Sequence, residues 1–277
     1  LQACTECLKE PVPSFRRSWR LAFHVVCPYH GIRLIDRCPA CGEPLAIHRG
    51  DVGTLTPEVD SSVRWCARCK ADLAEDFGET QREEDAVVDF QWLVLETLSR
   101  GWINIDGRVV HSTPFFDGLW MLWNFLDAPA WSGRMRAMLE KEGIDLPSPS
   151  ENRFGGINVR SLHARHQLLV ATGWLLEEWP ERFLHIAAQA GISGNRLLHF
   201  CVDGAKRTPF WLWAPVHAAL DRTMYVPTDE EIEQAVKYLR RILGHVRVRD
   251  ACQMLNMATN SSKRVAAVVR TQYSAIR

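Results

Sequence analysis

The chain has 277 residues, of which 47% are hydrophobic and 24% charged, a composition typical of a globular protein with a substantial core. This length allows one large domain or two to three small ones, and no apolar run approaches the ~18 residues of a membrane span. We recognise no signal peptide, and a start at Leu1 rather than at methionine leaves room for a preceding segment.

The formal net charge of zero hides an uneven distribution of charge along the chain. From Lys237 to Arg277 there are nine basic residues and one acidic residue, a net charge of +8, so the first 236 residues carry −8. A basic end on an acidic body predicts contact with a polyanion such as nucleic acid, with a solvated charged helix as the alternative.

Seven of the nine cysteines lie within the first 69 residues, and together with one histidine they form four pairs separated by two residues. This spacing lets both side chains of a pair point toward one metal ion, and a tetrahedral zinc site needs two such pairs. With four protein ligands, each site has no coordination position left for a reacting water. The sequence therefore predicts two structural Zn²⁺ ions with eight ligands: Cys4, Cys7, Cys27, His30, Cys38, Cys41, Cys66 and Cys69.

Two groupings of the four pairs are compatible with their spacing. We favour the sequential grouping, in which the first pair joins the second and the third joins the fourth, over an interleaved cross-brace. Free thiols and disulfides are the disfavoured alternative, because all four pairs have metal-ligand spacing. Gly31 and Gly42 directly follow a ligand and are expected to supply a permissive backbone to the turn. Cys201 and Cys252 stand apart and are expected to be small core residues.

Beyond residue 80 the hydrophobic pattern is helical. Two stretches place apolar residues at helical spacing: Val88, Trp92, Leu95 and Leu98, then Phe115, Leu119, Leu122 and Leu126. A later helix is expected to begin at Pro180 and to end near Gly191. We divide the chain into a tandem zinc-binding module with two sites (1–76), a first helical subdomain (77–146), a linker (147–160), a second helical subdomain (161–226) and a basic helix-turn-helix-like C-terminus (227–277).

The C-terminus is predicted to hold three helices. Thr228 and Glu231 form a capping box before the first of them, Asn256 is placed in a turn, and Ser261 is a candidate cap for the last. In a helix-turn-helix the last helix would enter a major groove, although the same fold also serves protein contacts. The candidate nucleic-acid contacts are Arg247, Arg249, Lys263, Arg264 and Arg270.

No motif of a common catalytic site is found in the sequence: there is no His-Glu-x-x-His, no phosphate-binding glycine loop and no Gly-x-Ser-x-Gly. His163 and His166 lie three residues apart, but a pair without carboxylate partners is more often structural than catalytic. We therefore predict a protein that is not an enzyme and has no small-molecule substrate.

The N-terminal motifs resemble the zinc-binding region of the TniQ/TnsD family, which selects target sites for DNA transposition. The resemblance lies in the stretches CTECLKE and WRLAFHVVCPYHGIRLIDRCPACGEPL. Family members place a Cys-x-x-Cys-Leu knuckle before a tryptophan-bearing strand, followed by Cys-x-x-His-Gly and Cys-Pro-x-Cys-Gly. The helical stretches WLLEEWPERFLHIA and TPFWLWAPVHAALDRTMYVPTDEEIEQAV are similar to the family too, but less specifically.

This resemblance implies a non-enzymatic adaptor that recognises a target and recruits an AAA+ ATPase regulator, which in turn brings the transposase. The target is either DNA that is read directly or an RNA-guided CRISPR effector complex, and some effector-binding members form homodimers. The implied location is the bacterial cytoplasm. Two departures stand out: Cys4 lies almost at the start, where members usually have a preceding helical segment, and the chain is shorter than the direct DNA readers.

From these observations we expect a mainly α protein with a small-β tandem zinc-ribbon or zinc-knuckle module, a helical body and a C-terminal helix-turn-helix. The expected function is target selection in DNA transposition. A free-standing zinc-containing DNA-binding transcriptional regulator is the alternative, and a zinc-dependent hydrolase is the weakest hypothesis.

Overall fold

The structure is a computed structural model that describes residues 1–46, 63–75, 78, 82–149, 156–194, 197, 208–220, 227–255 and 262–274. It is mainly helical, with short strands that pair only in two small hairpins among these residues, which confirms the mainly α class. The chain forms two compact units, Leu1–Asp221 and Arg222–Arg277. The finer division into five segments stays a prediction.

The cysteine-rich part of the first unit has little regular structure. It contains the short 3₁₀ helices Cys7–Lys9 and Arg17–Arg20 and one antiparallel hairpin, in which β1 (Val26–Cys27) pairs with β2 (Ile32–Arg33). Its small core combines cysteine side chains with a few large apolar residues that are fully buried, including Leu8, Trp19, Leu34 and Leu73. So small a core favours a fold that depends on an additional constraint such as a metal.

The rest of the first unit is a helical body around one large apolar core. Over the described parts of this body, the α-helices with defined bounds are α1 (Asp85–Arg100), α2 (Ser112–Asp127), α3 (Pro129–Lys141), α4 (Leu162–Glu177), α5 (Glu181–Gln189) and α6 (Phe210–Leu220), with a 3₁₀ helix at Gly156–Val159. Helix α5 matches the predicted helix between Pro180 and Gly191. All four apolar residues predicted for α2 are buried in the core: Phe115, Leu119, Leu122 and Leu126.

Helix α1 buries a different face from the one that its apolar residues suggest. Phe90, Gln91 and Val94 point into the core, whereas Trp92 and Leu98 are 40% and 45% exposed. An apolar stripe is therefore left on the outer side of this helix.

A second hairpin, which was not predicted from the sequence, follows α1 directly: β3 (Trp102–Ile105) pairs with β4 (Arg108–His111). Its turn is Asp106-Gly107, and both residues have positive φ values, 50° and 71°. Asp-Gly is a strong signal for a two-residue hairpin turn, because such turns require positive φ at both positions. That dipeptide was the available signal in the sequence.

The described residues of the second unit form three helices, α7 (Asp229–Leu243), α8 (Val248–Met254) and α9 (Ser262–Ser274), around a small core of their own. The predicted capping box is present: the Glu231 N–H donates to Thr228 Oγ1 at 3.3 Å, and the Thr228 N–H donates to Glu231 Oε2 at 2.7 Å. The predicted turn at Asn256 and cap at Ser261 lie outside the described residues, so the helix-turn-helix stays a prediction. Across the described ranges, every helix is too short or too polar to cross a membrane.

Candidate metal centres

The four ligand pairs adopt one common backbone turn. In each, the carbonyl of the first cysteine accepts a hydrogen bond from the N–H four residues later, at 3.2 Å for Cys4, 2.8 Å for Cys27 and Cys38, and 3.1 Å for Cys66. This turn brings the first and fourth side chains of each motif to the same side. The repeated spacing in the sequence is therefore a repeated local structure.

Three of the turns place the residue after the second ligand in the left-handed region. Its φ is 63° at Gly31, 72° at Gly42 and 59° at Lys70. The two glycines match the expectation from the sequence, because glycine adopts this conformation without strain. Lys70 adopts the same conformation as a non-glycine residue, which the glycine pattern did not reveal.

We expect Gly42→Ala to lower the free energy of unfolding by about 1–2 kcal/mol, because a Cβ is disfavoured at this φ although nothing lies within 4 Å of it. Gly133 in α3 is a matched control, since its Cβ position is equally open and its φ is not positive. There the same substitution should raise stability by about 0.5–1 kcal/mol. Urea unfolding of both variants measures the contrast. Equal effects at the two positions would rule out backbone strain as the cause.

The first cluster is formed by Cys4, Cys7, Cys27 and His30. The three sulfur atoms lie 3.5, 3.4 and 3.5 Å from His30 Nδ1, and the sulfurs of Cys7 and Cys27 are 3.7 Å apart. Zn–S distances near 2.3 Å and Zn–N distances near 2.0–2.1 Å put neighbouring ligands of a tetrahedral ion about 3.5–3.8 Å apart. The observed separations therefore match a tetrahedral zinc site, and they are far longer than the ~2.05 Å of a disulfide.

The second cluster is formed by Cys38, Cys41, Cys66 and Cys69. The sulfurs of Cys38 and Cys69 are 3.6 Å apart, and those of Cys41 and Cys66 are 3.8 Å apart. All ligand atoms within each cluster lie within 4.8 Å of one another. Both groups follow the sequential grouping, the first pair with the second and the third with the fourth. The first cluster is largely buried, whereas Cys41 and Cys69 are exposed.

The close approach of the sulfur atoms in the first cluster shifts the pKa values of neighbouring thiols in opposite directions. The pKa of Cys27 lies well below its ordinary value, because the thiols of Cys4 and Cys7 donate to its sulfur. The neighbouring Cys27 sulfur in turn raises the pKa of Cys4 strongly and that of Cys7 to about 11. Three thiolates at these distances thus repel one another unless a cation lies among them, and a divalent metal ion provides that charge.

The second cluster shows the same opposition of pKa values. Burial raises the pKa of Cys38 to about 12, whereas a hydrogen bond from the Ala71 N–H lowers that of Cys69 to about 7. Backbone N–H donors of this kind favour the thiolate form that a metal requires. Each cluster is thus a closed set of four sulfur or nitrogen ligands that could hold one metal ion.

Buried polar contacts, which were not predicted from the sequence, join the first cluster to the helical body. Gln91 of α1 is fully buried, and its Oε1 accepts hydrogen bonds from the N–H groups of Val25 and Val26 at 2.9 and 3.2 Å. Val26 belongs to β1, which continues into the ligand Cys27. The backbone that leads into the metal-ligand turn at Cys27–Gly31 (hereafter the metal turn) is therefore positioned by a side chain of α1. A polar residue on an otherwise apolar helix face was the available signal.

Arg165 of α4 makes a second connection. Its guanidinium donates to Gln2 Oε1 at 2.8 Å and to the Ala22 carbonyl at 3.0 Å, and it lies 3.5 Å from Asp36 Oδ2. Burial lowers the pKa of Arg165. Residues that precede Cys4 and Cys27 and that follow His30 in the sequence are thus held against the body by one buried side chain.

The predicted His163–His166 pair has the carboxylate partner that the sequence did not reveal. His166 Nε2 lies 2.8 Å from Glu83 Oε2, and the other oxygen of Glu83 lies 2.9 Å from Arg33 of β2. The side chains of Glu83 and His166 are each only 8% exposed. This triad connects the β-hairpin to α4, and its tight burial favours a structural role.

The triad makes stability depend on pH. Although burial opposes it, hydrogen bonds from His166 and Arg33 lower the pKa of Glu83 below its ordinary 4.5. Glu83 therefore stabilises the fold above that value, and its contribution is lost as the pH falls through the lowered pKa. We expect Glu83→Gln to cost about 2–3 kcal/mol at pH 7 and progressively less below pH ~4.5. Denaturant unfolding across pH tests this, with Glu84→Gln, an exposed neighbour, as control; a pH-independent difference would contradict it.

The five basic residues predicted to contact nucleic acid are all exposed on the second unit: Arg247, Arg249, Lys263, Arg264 and Arg270. Arg264 also forms an ion pair with Asp229 at 2.6 Å, which occupies part of its hydrogen-bonding capacity. Their exposure is compatible with contact to a polyanion, and the contact itself stays a prediction.

Chemically, the first unit presents two closed sulfur-rich metal-ligand sets, of which the first is bonded directly into a helical body. Four ligands per set favour structural over catalytic metal binding. Comparison with protein-family models, with curated proteins and with solved structures gave no match to this chain.

Proposed function

We propose that the chain is a non-enzymatic target-selection adaptor for DNA transposition, built around two structural Zn²⁺ ions. The observation that carries the metal assignment is the pair of four-ligand clusters, in each of which all ligand atoms lie within 4.8 Å of one another and several are 3.4–3.8 Å apart. Thiolate and imidazole ligands in tetrahedral sets are typical of structural zinc. When bound, each ion would neutralise the thiolates of its own cluster and cross-link two of the four turns.

The adaptor role is supported by the resemblance of the N-terminal motifs to the TniQ/TnsD family and by how the metal module is attached. The hydrogen bonds of Gln91 and Arg165 attach the residues next to the first cluster to the helical body. Attachment of this kind keeps the surface around the first cluster ordered, which favours binding of a macromolecular partner. The proposed partners are an AAA+ ATPase regulator and, as the target, DNA or an RNA-guided CRISPR effector complex.

A DNA-binding transcriptional regulator is the second candidate, and the exposed basic residues of the second unit favour it. In this case the isolated protein should bind duplex DNA, with an affinity that falls steeply with salt as phosphate-bound counterions are released. An adaptor that reads an effector complex should bind duplex DNA weakly and should co-purify with the effector or with the ATPase.

The experiment is a pull-down with the purified AAA+ ATPase of the same genetic element, together with a duplex DNA titration at two salt concentrations. The variant reverses Lys263, Arg264 and Arg270 to glutamate. A charge-matched control reverses three exposed cations of the first unit, Arg108, Arg134 and Lys141. Loss of ATPase or effector capture in the first variant alone supports the adaptor. Strong, salt-sensitive DNA binding without any ATPase or effector capture would favour the regulator instead.

A further inference from the structure

An open cleft of about 650 Å³ lies between the metal turn at Cys27–Gly31 and the outer face of α1. One wall is Pro28-Tyr29, the two residues between the ligands Cys27 and His30, and the other is Trp92, Leu95 and Leu98 of α1. This wall of α1 includes the apolar stripe that the core leaves unused. The volume lies within the range of ordinary ligand and peptide-anchor sites.

The aromatic side chains at the rim of the cleft are exposed but held in place. Tyr29 is 58% exposed and Trp92 is 40% exposed, and their rings meet edge to face with centroids 5.1 Å apart. The guanidinium of Arg16 lies 4.3 Å above the Tyr29 ring. Tyrosine, tryptophan and arginine are the residues enriched in binding hot spots, and an ordered cluster of them costs little entropy to bury.

The charge of the rim is positive. Arg16 and Arg17 line the cleft, and Arg17 is exposed and forms no ion pair with any of the described residues. The one carboxylate of the lining, Glu96, is already paired with Arg100 at 2.6 Å. An incoming negative group would therefore meet an uncompensated guanidinium.

We infer that this cleft is a docking site for a partner protein, which inserts a peptide segment carrying a large apolar or aromatic anchor next to acidic residues. The anchor would lie on the apolar floor between Tyr29 and Leu98, and the acidic side chains would meet Arg17 at the rim. This inference stands independently of the proposed function, because it uses only the chemistry of the cleft.

Several observations favour a peptide over single-stranded nucleic acid. Arg16 covers one face of Tyr29 and Trp92 meets that ring edge-on, so the two aromatics present no row of open faces for successive bases. The lining also carries the aliphatic side chains of Leu21, Leu95 and Leu98, which suit an apolar peptide side chain.

The test is a selection from a phage-displayed library of random 16-residue peptides on the zinc-loaded full chain. Enriched peptides are then labelled and titrated by fluorescence anisotropy against the unmodified protein and its variants. The cleft variant is Tyr29→Ala with Trp92→Ala. The control is Trp102→Ala with Trp120→Ala, two tryptophans that are 44% and 45% exposed away from the cleft. Circular dichroism and zinc content verify that each variant is folded.

We expect enriched peptides to combine aromatic or leucine anchors with Asp or Glu. Their affinity should fall at least about tenfold in the cleft variant and less than about twofold in the control. Arg17→Glu should weaken acidic peptides about three- to tenfold at low salt. The inference is overturned if no peptide is enriched, if the enriched peptides are basic, or if the control loses as much affinity as the cleft variant. It is equally overturned if single-stranded DNA or a second copy of the chain, detected by sedimentation, occupies the cleft instead.

Discussion

Replacing Cys27 by serine is expected to remove one of two zinc equivalents and to lower the stability of the first unit by about 5 kcal/mol or more. Cys27 is fully buried, its sulfur lies 3.5 Å from His30 Nδ1, and its strand is bonded to α1 through Gln91. Loss of this ligand therefore uncouples the metal turn and disturbs its attachment to the helical body. Zinc analysis and thermal unfolding measure both effects.

Cys252→Ser is the matched control for this substitution. Cys252 is also buried, at 3% exposure, but it lies in α8 outside both clusters. Its replacement should leave the zinc content at two and cost about 1–2 kcal/mol in the second unit. We expect Cys38→Ser to remove one zinc equivalent too, with a smaller loss of stability, because the second cluster is more exposed. If Cys27→Ser retained two zinc ions and native melting behaviour, the first cluster would not be a metal site.

Gln91→Ala is expected to lower the free energy of unfolding by about 3 kcal/mol, an effect larger than that of most exposed polar substitutions. The substitution leaves the N–H groups of Val25 and Val26 without their acceptor in a region where both residues are fully buried. Urea unfolding gives the energy, and hydrogen exchange at these two amides should accelerate more than at other buried amides.

Gln189→Ala on α5 is the control for Gln91→Ala. The Gln189 side chain is exposed, and among the described residues its hydrogen bond is to the exposed His185, so its loss should change stability by less than about 0.5 kcal/mol. A cost below about 1 kcal/mol for Gln91→Ala, with unchanged exchange at Val25 and Val26, would show that the metal turn is held to α1 by other contacts.

The sequence was most informative where chemistry depends on local spacing. The two-residue gaps between Cys4 and Cys7, and between Cys27 and His30, set a local turn, so the ligand pairs and the glycine after His30 could be predicted. The helices followed from apolar periodicity, and the capping box from Thr228 and Glu231.

The sequence was least informative about contacts between residues that are far apart in the chain. Gln91 meets Val25, and Glu83 meets Arg33, across 66 and 50 positions, and no local pattern encodes such contacts. Periodicity also could not show which apolar face of α1 is buried. Trp92 matched the helical spacing of a core residue, but the core is formed by Phe90 and Val94 instead, and this difference creates the cleft.

The binding of two metal ions by four short turns is tested most directly by elemental analysis of the purified full chain. The clusters predict two zinc ions per chain, with seven cysteine ligands whose thiols resist alkylation until a chelator removes the metal. A value clearly below two zinc ions, with the thiols of Cys4, Cys7 and Cys27 freely alkylated in the native protein, would contradict it.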